Sequence, residues 1–156
     1  MQKGDRSTGK AKALGINHVV LEVGDLDQAL DFYGAIFDFT LRGRNETQAF
    51  IDMGDQFLQL SLSDEPHGKD TKRHFGFVVD DRSTIPEMLE KLGAERLKRM
   101  NFLDPWGNRI EVVPYENIQF TKADHILRAM DAGDVKKTPE AIKELKEKGM
   151  SPDDAG

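Results

Sequence analysis

The chain contains no cysteine among its 156 residues. This absence excludes disulfide bonds, thiol nucleophiles and thiolate metal sites, and it fits a cytoplasmic protein. The sequence also lacks a run of about 20 apolar residues, which a membrane-spanning helix requires. Its first residues lack the apolar segment of a signal peptide. We therefore expect a cytoplasmic protein without a membrane partner.

Positive charge is in deficit, because 22 Lys and Arg residues stand against 28 Asp and Glu residues, which gives a net charge of −6. Nucleic-acid binding requires a basic face, so we expect no nucleic-acid partner. The length suits one compact domain rather than two. An apolar fraction of 38% beside 32% charged residues is typical of a globular protein.

The strongest pattern that is present is an internal repeat. The first copy begins with the alternating strand "INHVVLEV", continues with helical spacing in "LDQALDFYGAIF", and ends with the strand candidates "FTLRGR", "QAFIDM" and "FLQLSL". The second copy repeats this order in "HFGFVV", "TIPEMLEKLG", "RLKRM", "NFLD" and "RIEVVP". The sequence therefore predicts an α+β domain over residues 15–116 that is built from two βαβββ modules, residues 15–62 and 73–114.

Helix start signals in both modules, and two further helical segments beyond Pro114, complete the predicted domain organisation. Asp25 with Gln28, and Thr84 with Glu87, predict capping boxes at the two module helices. The segments "TKADHILRAM" and "TPEAIKELKEKGM" predict two amphipathic helices in an extension over residues 117–150, whose apolar faces must cover this domain or a second subunit. Residues 1–14 are expected to be a flexible tail, and residues 151–156 a frayed one.

Matched polar residues interrupt the apolar strands of both copies. His18 is the second residue of "NHVVLEVGD" and His74 the second of "RHFGFVVDD". Gln59 and Glu111 occupy the central alternating positions of the last strands, 41 and 37 residues after the two histidines. If a pseudo-two-fold axis relates the copies, these four side chains converge. Two imidazoles, an amide oxygen and a carboxylate suit Mn, Fe, Co, Ni or Zn.

The opening "INHVVLEVGDLDQALDFY" and the ending "FLDPWGNRIEVV" resemble the vicinal oxygen chelate superfamily, which includes glyoxalases, bleomycin-resistance proteins, methylmalonyl-CoA epimerases, fosfomycin-resistance proteins and extradiol dioxygenases. The resemblance covers about two-thirds of the chain. It implies a cupped mixed sheet around a metal held by His18, Gln59, His74 and Glu111. The ligand order is similar to that of the epimerase branch, whereas glyoxalases more often have Glu at the position of Gln59.

Simpler interpretations of each residue stay open. Gln59 can satisfy a backbone group, which would leave three ligands, and Glu111 can pair with Arg109 or Arg99. His67 in the polar connector is expected to be solvated, and Trp106 to be a packing residue. His125 is expected on a surface or interface. Metal-free superfamily members that bind a ligand in the cup also exist.

The expected function is a metal-dependent, glyoxalase- or epimerase-like enzyme that polarises a small oxygen-chelating substrate for isomerase or lyase chemistry. Proton transfer beside a carbonyl requires a base, and the candidates are Glu111 and Glu22, which shares the strand face of His18. The alternatives are an extradiol-type dioxygenase with Fe(II) held by two histidines and a carboxylate, and a metal-free binding protein. The resemblance to fosfomycin-resistance transferases implies the same triad, but the sequence shows no clear basic cradle for a phosphonate. A homodimer is expected, because two-module members of the superfamily commonly pair and the C-terminal helices need an apolar partner.

Overall fold

The first module forms a four-stranded sheet with one helix on it. The structure is a computed structural model that describes residues 9–65 and 67–151. In these ranges the first module consists of β1 (His18–Val23), α1 (Leu26–Ile36), β2 (Thr40–Arg44), β3 (Gln48–Asp52) and β4 (Phe57–Leu62). The strand order is β1-β4-β3-β2, with β1 parallel to β4. Most of the predicted N-terminal tail and nearly all of the predicted C-terminal tail lie outside the described residues.

The second module repeats the arrangement with one strand fewer. It consists of β5 (Phe75–Val79), α2 (Ile85–Lys91), β6 (Asn101–Leu103) and β7 (Arg109–Pro114), in the order β5-β7-β6, with β5 parallel to β7. The segment "RLKRM" is not the predicted strand, because it forms only a single bridge between Arg96 and Phe102. Arg99 and Met100 then adopt positive φ angles, which lie outside regular strand geometry. The predicted α+β class with two modules is confirmed.

The helices begin partly as predicted. The side chain of Asp25 accepts a hydrogen bond of 2.9 Å from the Gln28 amide, so it caps α1. The predicted Thr84 cap is wrong, because Thr84 already has helical φ and ψ and its side chain makes no capping hydrogen bond. Ahead of α2, the Asp81 carboxylate instead accepts from the Ser83 amide at 2.8 Å.

The two modules share one hydrophobic core on the helical side of their sheets. Alternate residues of β4, Leu58 and Leu60, are fully buried there. Across the module boundary, the ring centroids of Phe37 and Phe77 are 5.0 Å apart. The opposite faces are not covered in this way: His18, Val20 and Glu22 of β1 are exposed. Each sheet therefore has one face in the core and one open face.

The C-terminal extension packs on its own domain. It contains α3 (Asp124–Ala129) and α4 (Pro139–Glu147), and the Thr138 side chain caps α4. Ile126 and Met130 close on Gly54 in the β3–β4 turn so tightly that a Cβ there would lie 2.6 Å from the Met130 sulfur. The apolar faces of the extension helices are thus covered, at least in part, by residues of the same chain. Among the described residues, no helix has the length and apolar character to cross a membrane.

Candidate metal centre and its cleft

One predicted ligand pair lies on the open face of the second sheet. Gly76 and Glu111 are paired across the parallel strands β5 and β7, and His74 lies two residues before Gly76 on the same face. This register brings His74 Nε2 to 3.3 Å from Glu111 Oε2. Both side chains are about one-third exposed. Glu111 therefore pairs with His74, whereas the alternative partner Arg109 donates to Asn101 Oδ1 at 2.8 Å.

The backbone fixes the tautomer of His74. Its Nδ1 lies 2.7 Å from the carbonyl oxygen of Lys72. Because a carbonyl can only accept, Nδ1 carries the hydrogen, and Nε2 is the atom that faces Glu111. In the neutral ring Nε2 presents a lone pair to a carboxylate, and a cation between the two atoms satisfies both. Metal-binding histidines commonly donate their second ring N–H to a carbonyl in this manner.

The second predicted pair lies on the open face of the first sheet. His18 stacks on Phe57, with ring centroids 4.7 Å apart and an interplanar angle of 8°. Its Nδ1 lies 2.9 Å from Asn17 Oδ1, so Nε2 is again the nitrogen left for a ligand role. Gln59 is paired with Val20 in the β1–β4 register and therefore shares the open face of His18. These nitrogen and oxygen donors fit a divalent transition metal.

One chain does not bring all four side chains together. Within residues 9–65 and 67–151, no group of three or more His, Cys, Asp and Glu side chains is arranged to hold a metal ion. Residues 19–22 of β1 line one cleft together with His74, whereas His18 does not belong to that lining.

The cleft between β1 and β5 has a volume of about 470 Å³. We call it the β1–β5 cleft; its polar lining includes Glu22, His67, Arg73, His74, Asn108 and Arg109. Glu22, the predicted alternative base, thus lies in the same cleft as His74. A neighbouring pocket of about 310 Å³ is lined by Glu22, His67 and Trp106, among others. Trp106 packs against Gly24, where a Cβ would lie 2.6 Å from the indole nitrogen, as expected for a packing residue.

A buried network behind the cleft went unpredicted. Asp104 Oδ2 accepts from the Tyr33 hydroxyl and the Asn108 side-chain amide, both at 2.7 Å. Asp104 Oδ1 accepts from the backbone amides of Trp106 and Asn108, both at 2.9 Å. Burial, followed by the charge and hydrogen bond of Asp104, raises the pKa of Tyr33 well above its usual value. The turn sequence "DPWGN" carries a signal for this network, since Asp and Asn side chains often bond the backbone of their own turn.

Two other histidine predictions can be compared with the structure. His67 was expected to be solvated, and it is exposed, but its Nε2 also lies 2.9 Å from Asn108 Oδ1. Asn108 itself is buried, and its bond to His67 was not predicted because the two residues are 41 positions apart in the sequence. His125 is exposed on α3, as expected for a surface residue.

Residues 15–112 match the family model of the Glyoxalase/Bleomycin resistance protein/Dioxygenase superfamily. The chain belongs to this superfamily. Its predicted resemblance is thereby confirmed, and the match spans both sheets and ends within β7. The extension after β7 lies outside the matched range.

The chain is also similar to two transferases and to a fosfomycin resistance protein. The chain is 28% identical over 110 residues to glutathione transferase FosA of Serratia marcescens, covering 62% of this chain and 78% of the relative. It is also 28% identical over 116 residues to metallothiol transferase FosB of Bacillus licheniformis, covering 65% and 75%. The crystal structure of the fosfomycin resistance protein FosX of Listeria monocytogenes has a TM-score of 0.56 at 19% identity, covering 64% and 90%, and shows a shared fold.

Proposed function

We propose that the protein is a metal-dependent enzyme that acts on a small oxygen-chelating molecule. His74 and Glu111 would hold the metal, together with His18 and, as a fourth ligand, Gln59. The observation that carries the proposal is the fixed tautomer of His74, which aims Nε2 at a carboxylate oxygen 3.3 Å away on an open sheet face. A transferase named for a metal and a thiol among the relatives supports it.

Because one chain separates the two ligand pairs, we propose that each site combines His18 of one copy with His74 and Glu111 of another. Strands β1 and β5 are edge strands of their sheets and can each meet a second copy. Apolar side chains near His18 are exposed, with Ile16 at 69% and Val20 at 47%. Covering such side chains favours association. A cytoplasmic homodimer therefore remains our prediction.

The leading reaction class is isomerase or lyase chemistry at a carbon beside a carbonyl. A bound divalent ion supplies electrophilic stabilisation of negative charge on a substrate oxygen. Glu22 lines the β1–β5 cleft and would accept a proton from substrate held there. The side chain of Arg109 on the same lining would attract an anionic substrate group, whereas Arg73 is paired with the Asp70 carboxylate at 2.8 Å.

A second candidate is transfer of a thiol to a small electrophile. Two relatives are named as thiol or glutathione transferases, and Arg109 on the cleft lining would attract an anionic substrate. Assays of the metal-loaded protein with fosfomycin plus thiols, α-oxoaldehyde–thiol adducts, acyl-CoA thioesters and catechols separate transferase, isomerase and dioxygenase activity. Turnover of a catechol with Fe(II) alone would replace both candidates by the dioxygenase.

Metal binding tests the proposed site directly. The purified protein should bind about one divalent ion per chain, and His74→Ala, Glu111→Ala and His18→Ala should each lose it. His125→Ala is the matched control, because His125 is exposed on α3 and should retain binding. Equal metal content in all four variants and the unchanged protein would contradict the metalloenzyme and leave the metal-free binding protein.

Mixing variants tests whether two copies share a site. A heterodimer of a His18→Ala chain and a His74→Ala chain has one site with all its ligands, if His18 comes from the other copy. Co-refolded chains should then recover about a quarter of the wild-type metal content, because half of the random pairs are heterodimers with one intact site. If each chain builds its own site, the mixture recovers none.

A further inference from the structure

His67 belongs to the β1–β5 cleft, although it comes from the connector between the modules. It lines that cleft together with His74 and Glu22, and it also lines the neighbouring pocket. The proposed function uses Glu22 as its base and assigns nothing to this imidazole. A reaction that moves a proton between two carbons, or between two faces of one carbon, can divide the work between two proton carriers, one that accepts and one that delivers.

The buried amide of Asn108 has only one orientation that satisfies its neighbours. Its nitrogen lies 2.9 Å from the carbonyl oxygen of Glu22 and 2.7 Å from Asp104 Oδ2. Both of these atoms are acceptors, so the NH₂ group must face them. The amide oxygen is therefore the atom directed at His67.

This orientation decides the tautomer of His67. Its Nε2 lies 2.9 Å from Asn108 Oδ1, which can only accept. Nε2 therefore carries the hydrogen, and the neutral ring has its lone pair on Nδ1. His67 is exposed and lines the cleft, which leaves its ring open to a small molecule bound there.

The support for this tautomer extends into the core. Asn108 is 3% exposed and Asp104 is 4% exposed. Asp104 is itself held by the hydroxyl of Tyr33 on α1 at 2.7 Å. The exposed His67 is thus fixed by hydrogen bonds that run through Asn108 and Asp104 to the helix α1 of the first module. Catalytic bases are commonly oriented by such a third group.

We propose that His67 is a catalytic residue, the second proton carrier of the reaction, and that Asn108 is its positioning residue. This inference rests on the proposed function. Nδ1 accepts a proton from the substrate carbon beside the carbonyl, and the electron pair of the broken C–H bond remains on the substrate as an enolate. The carboxylic acid form of Glu22 delivers a proton to the opposite face or to the neighbouring carbon, and exchange with water returns both groups to their starting forms, so that no other reactant is consumed.

The orientation is tested without any substrate. In ¹⁵N-histidine-labelled protein, the ring Nε2–H of His67 should give a signal protected from solvent exchange, assigned by its loss in His67→Gln. Asn108→Ala should remove the protection, whereas His125→Gln should leave it unchanged. An Nδ1–H tautomer in the wild-type protein overturns the inference.

The proton transfer is tested with hydroxyacetone, whose two oxygens can chelate a metal. Zn²⁺-loaded wild-type protein should exchange deuterium from D₂O into the carbon next to the carbonyl, and His67→Gln should lower the rate roughly 100-fold or more while retaining Zn²⁺. Added imidazole should restore part of the rate in His67→Ala, which a merely structural role does not explain. Equal rates in wild type and His67→Gln, including no exchange in either, overturn the inference. If the wild-type protein does not bind Zn²⁺, the proposed function is contradicted instead. The tautomer measurement then still tests the orientation of His67.

Discussion

Asp104 is the residue on which the hydrogen bonding behind the cleft depends. It is buried, and both of its oxygens are occupied by two donors each. A buried carboxylate needs such partners, because loss of its hydration is otherwise expensive. The bonds join α1 of the first module to the β6–β7 turn of the second. Asp104 thereby ties the two modules together at the wall of the cleft.

Removing the Tyr33 hydroxyl should therefore destabilise the protein without disturbing its packing. Tyr33→Phe deletes one hydrogen bond to the charged Asp104 and should lower the free energy of unfolding by about 1.5–3 kcal/mol. Urea unfolding measures the loss. Tyr115→Phe, the chain's other tyrosine, is the control and should cost less, because Lys137 contacts its ring and backbone carbonyl, which remain. Equal costs for both variants would argue against a special role of the Asp104 bond.

At the scale of secondary-structure elements, the repeat of strand, helix and strands was predictable because alternation and helical spacing are local properties of the chain. The Asp25 cap was predictable for the same reason. The repeat predicted His74 in the first strand and Glu111 in the last strand of the second module. Their contact then depends on the β5–β7 register. The bond from His67 to Asn108 was not predictable, because it depends on how a connector folds over a distant turn.

The β6–β7 turn positions that connector through close backbone contact. Gly107 has φ of +90°, and a Cβ at this residue would lie 2.5 Å from the carbonyl oxygen of Gly68. Its own carbonyl accepts from the Asp70 amide at 2.8 Å. A side chain here would therefore strain the turn and push away the segment that carries His67.

Gly107→Ala should lower the free energy of unfolding by about 1–3 kcal/mol through overpacking and strain. It should also remove the protected ring N–H signal of His67. Gly43→Ala in β2 is the matched control, because nothing lies within 4 Å of its Cβ position and its φ is not positive. Differential scanning calorimetry compares the two, and a Gly107→Ala protein as stable as Gly43→Ala would contradict the contact.

At the scale of the whole molecule, two lysines attach the extension to the superfamily domain, the buried Lys122 and the partly buried Lys137. Lys137 donates to the carbonyls of Tyr115 and Ile118, the latter at 2.8 Å, and lies 3.5 Å from the Tyr115 ring centroid. Burial lowers the pKa of Lys137 to about 8. Lys122 donates to the Met53 carbonyl at 2.8 Å and contacts Asp55 in the β3–β4 turn. The extension is therefore attached both to the end of β7 and to the first sheet.

The contact between Lys122 and Asp55 should make this attachment sensitive to acid. The hydrogen bond from Lys122, followed by its charge, lowers the pKa of Asp55 below the ordinary 3.8. The folded state thus binds the Asp55 proton less tightly than the unfolded state. The stabilisation is complete above about pH 4 and declines as the pH falls from there through the lowered pKa.

Asp55→Asn should consequently matter at neutral pH and not in acid. Asp55 is 54% exposed, so we expect the substitution to lower the free energy of unfolding by no more than about 1 kcal/mol at pH 7. The difference from wild type should shrink as the pH is lowered from 4 towards 2, in urea titrations of both proteins. Asp38→Asn, at an exposed position before β2, is the control and should show a smaller pH-dependent difference.

Hydrogen exchange should locate the weakening, with faster exchange in residues 122–130 of Asp55→Asn at pH 7. A difference that stays constant from pH 7 to pH 2 would show that the Asp55 charge does not hold the extension in place.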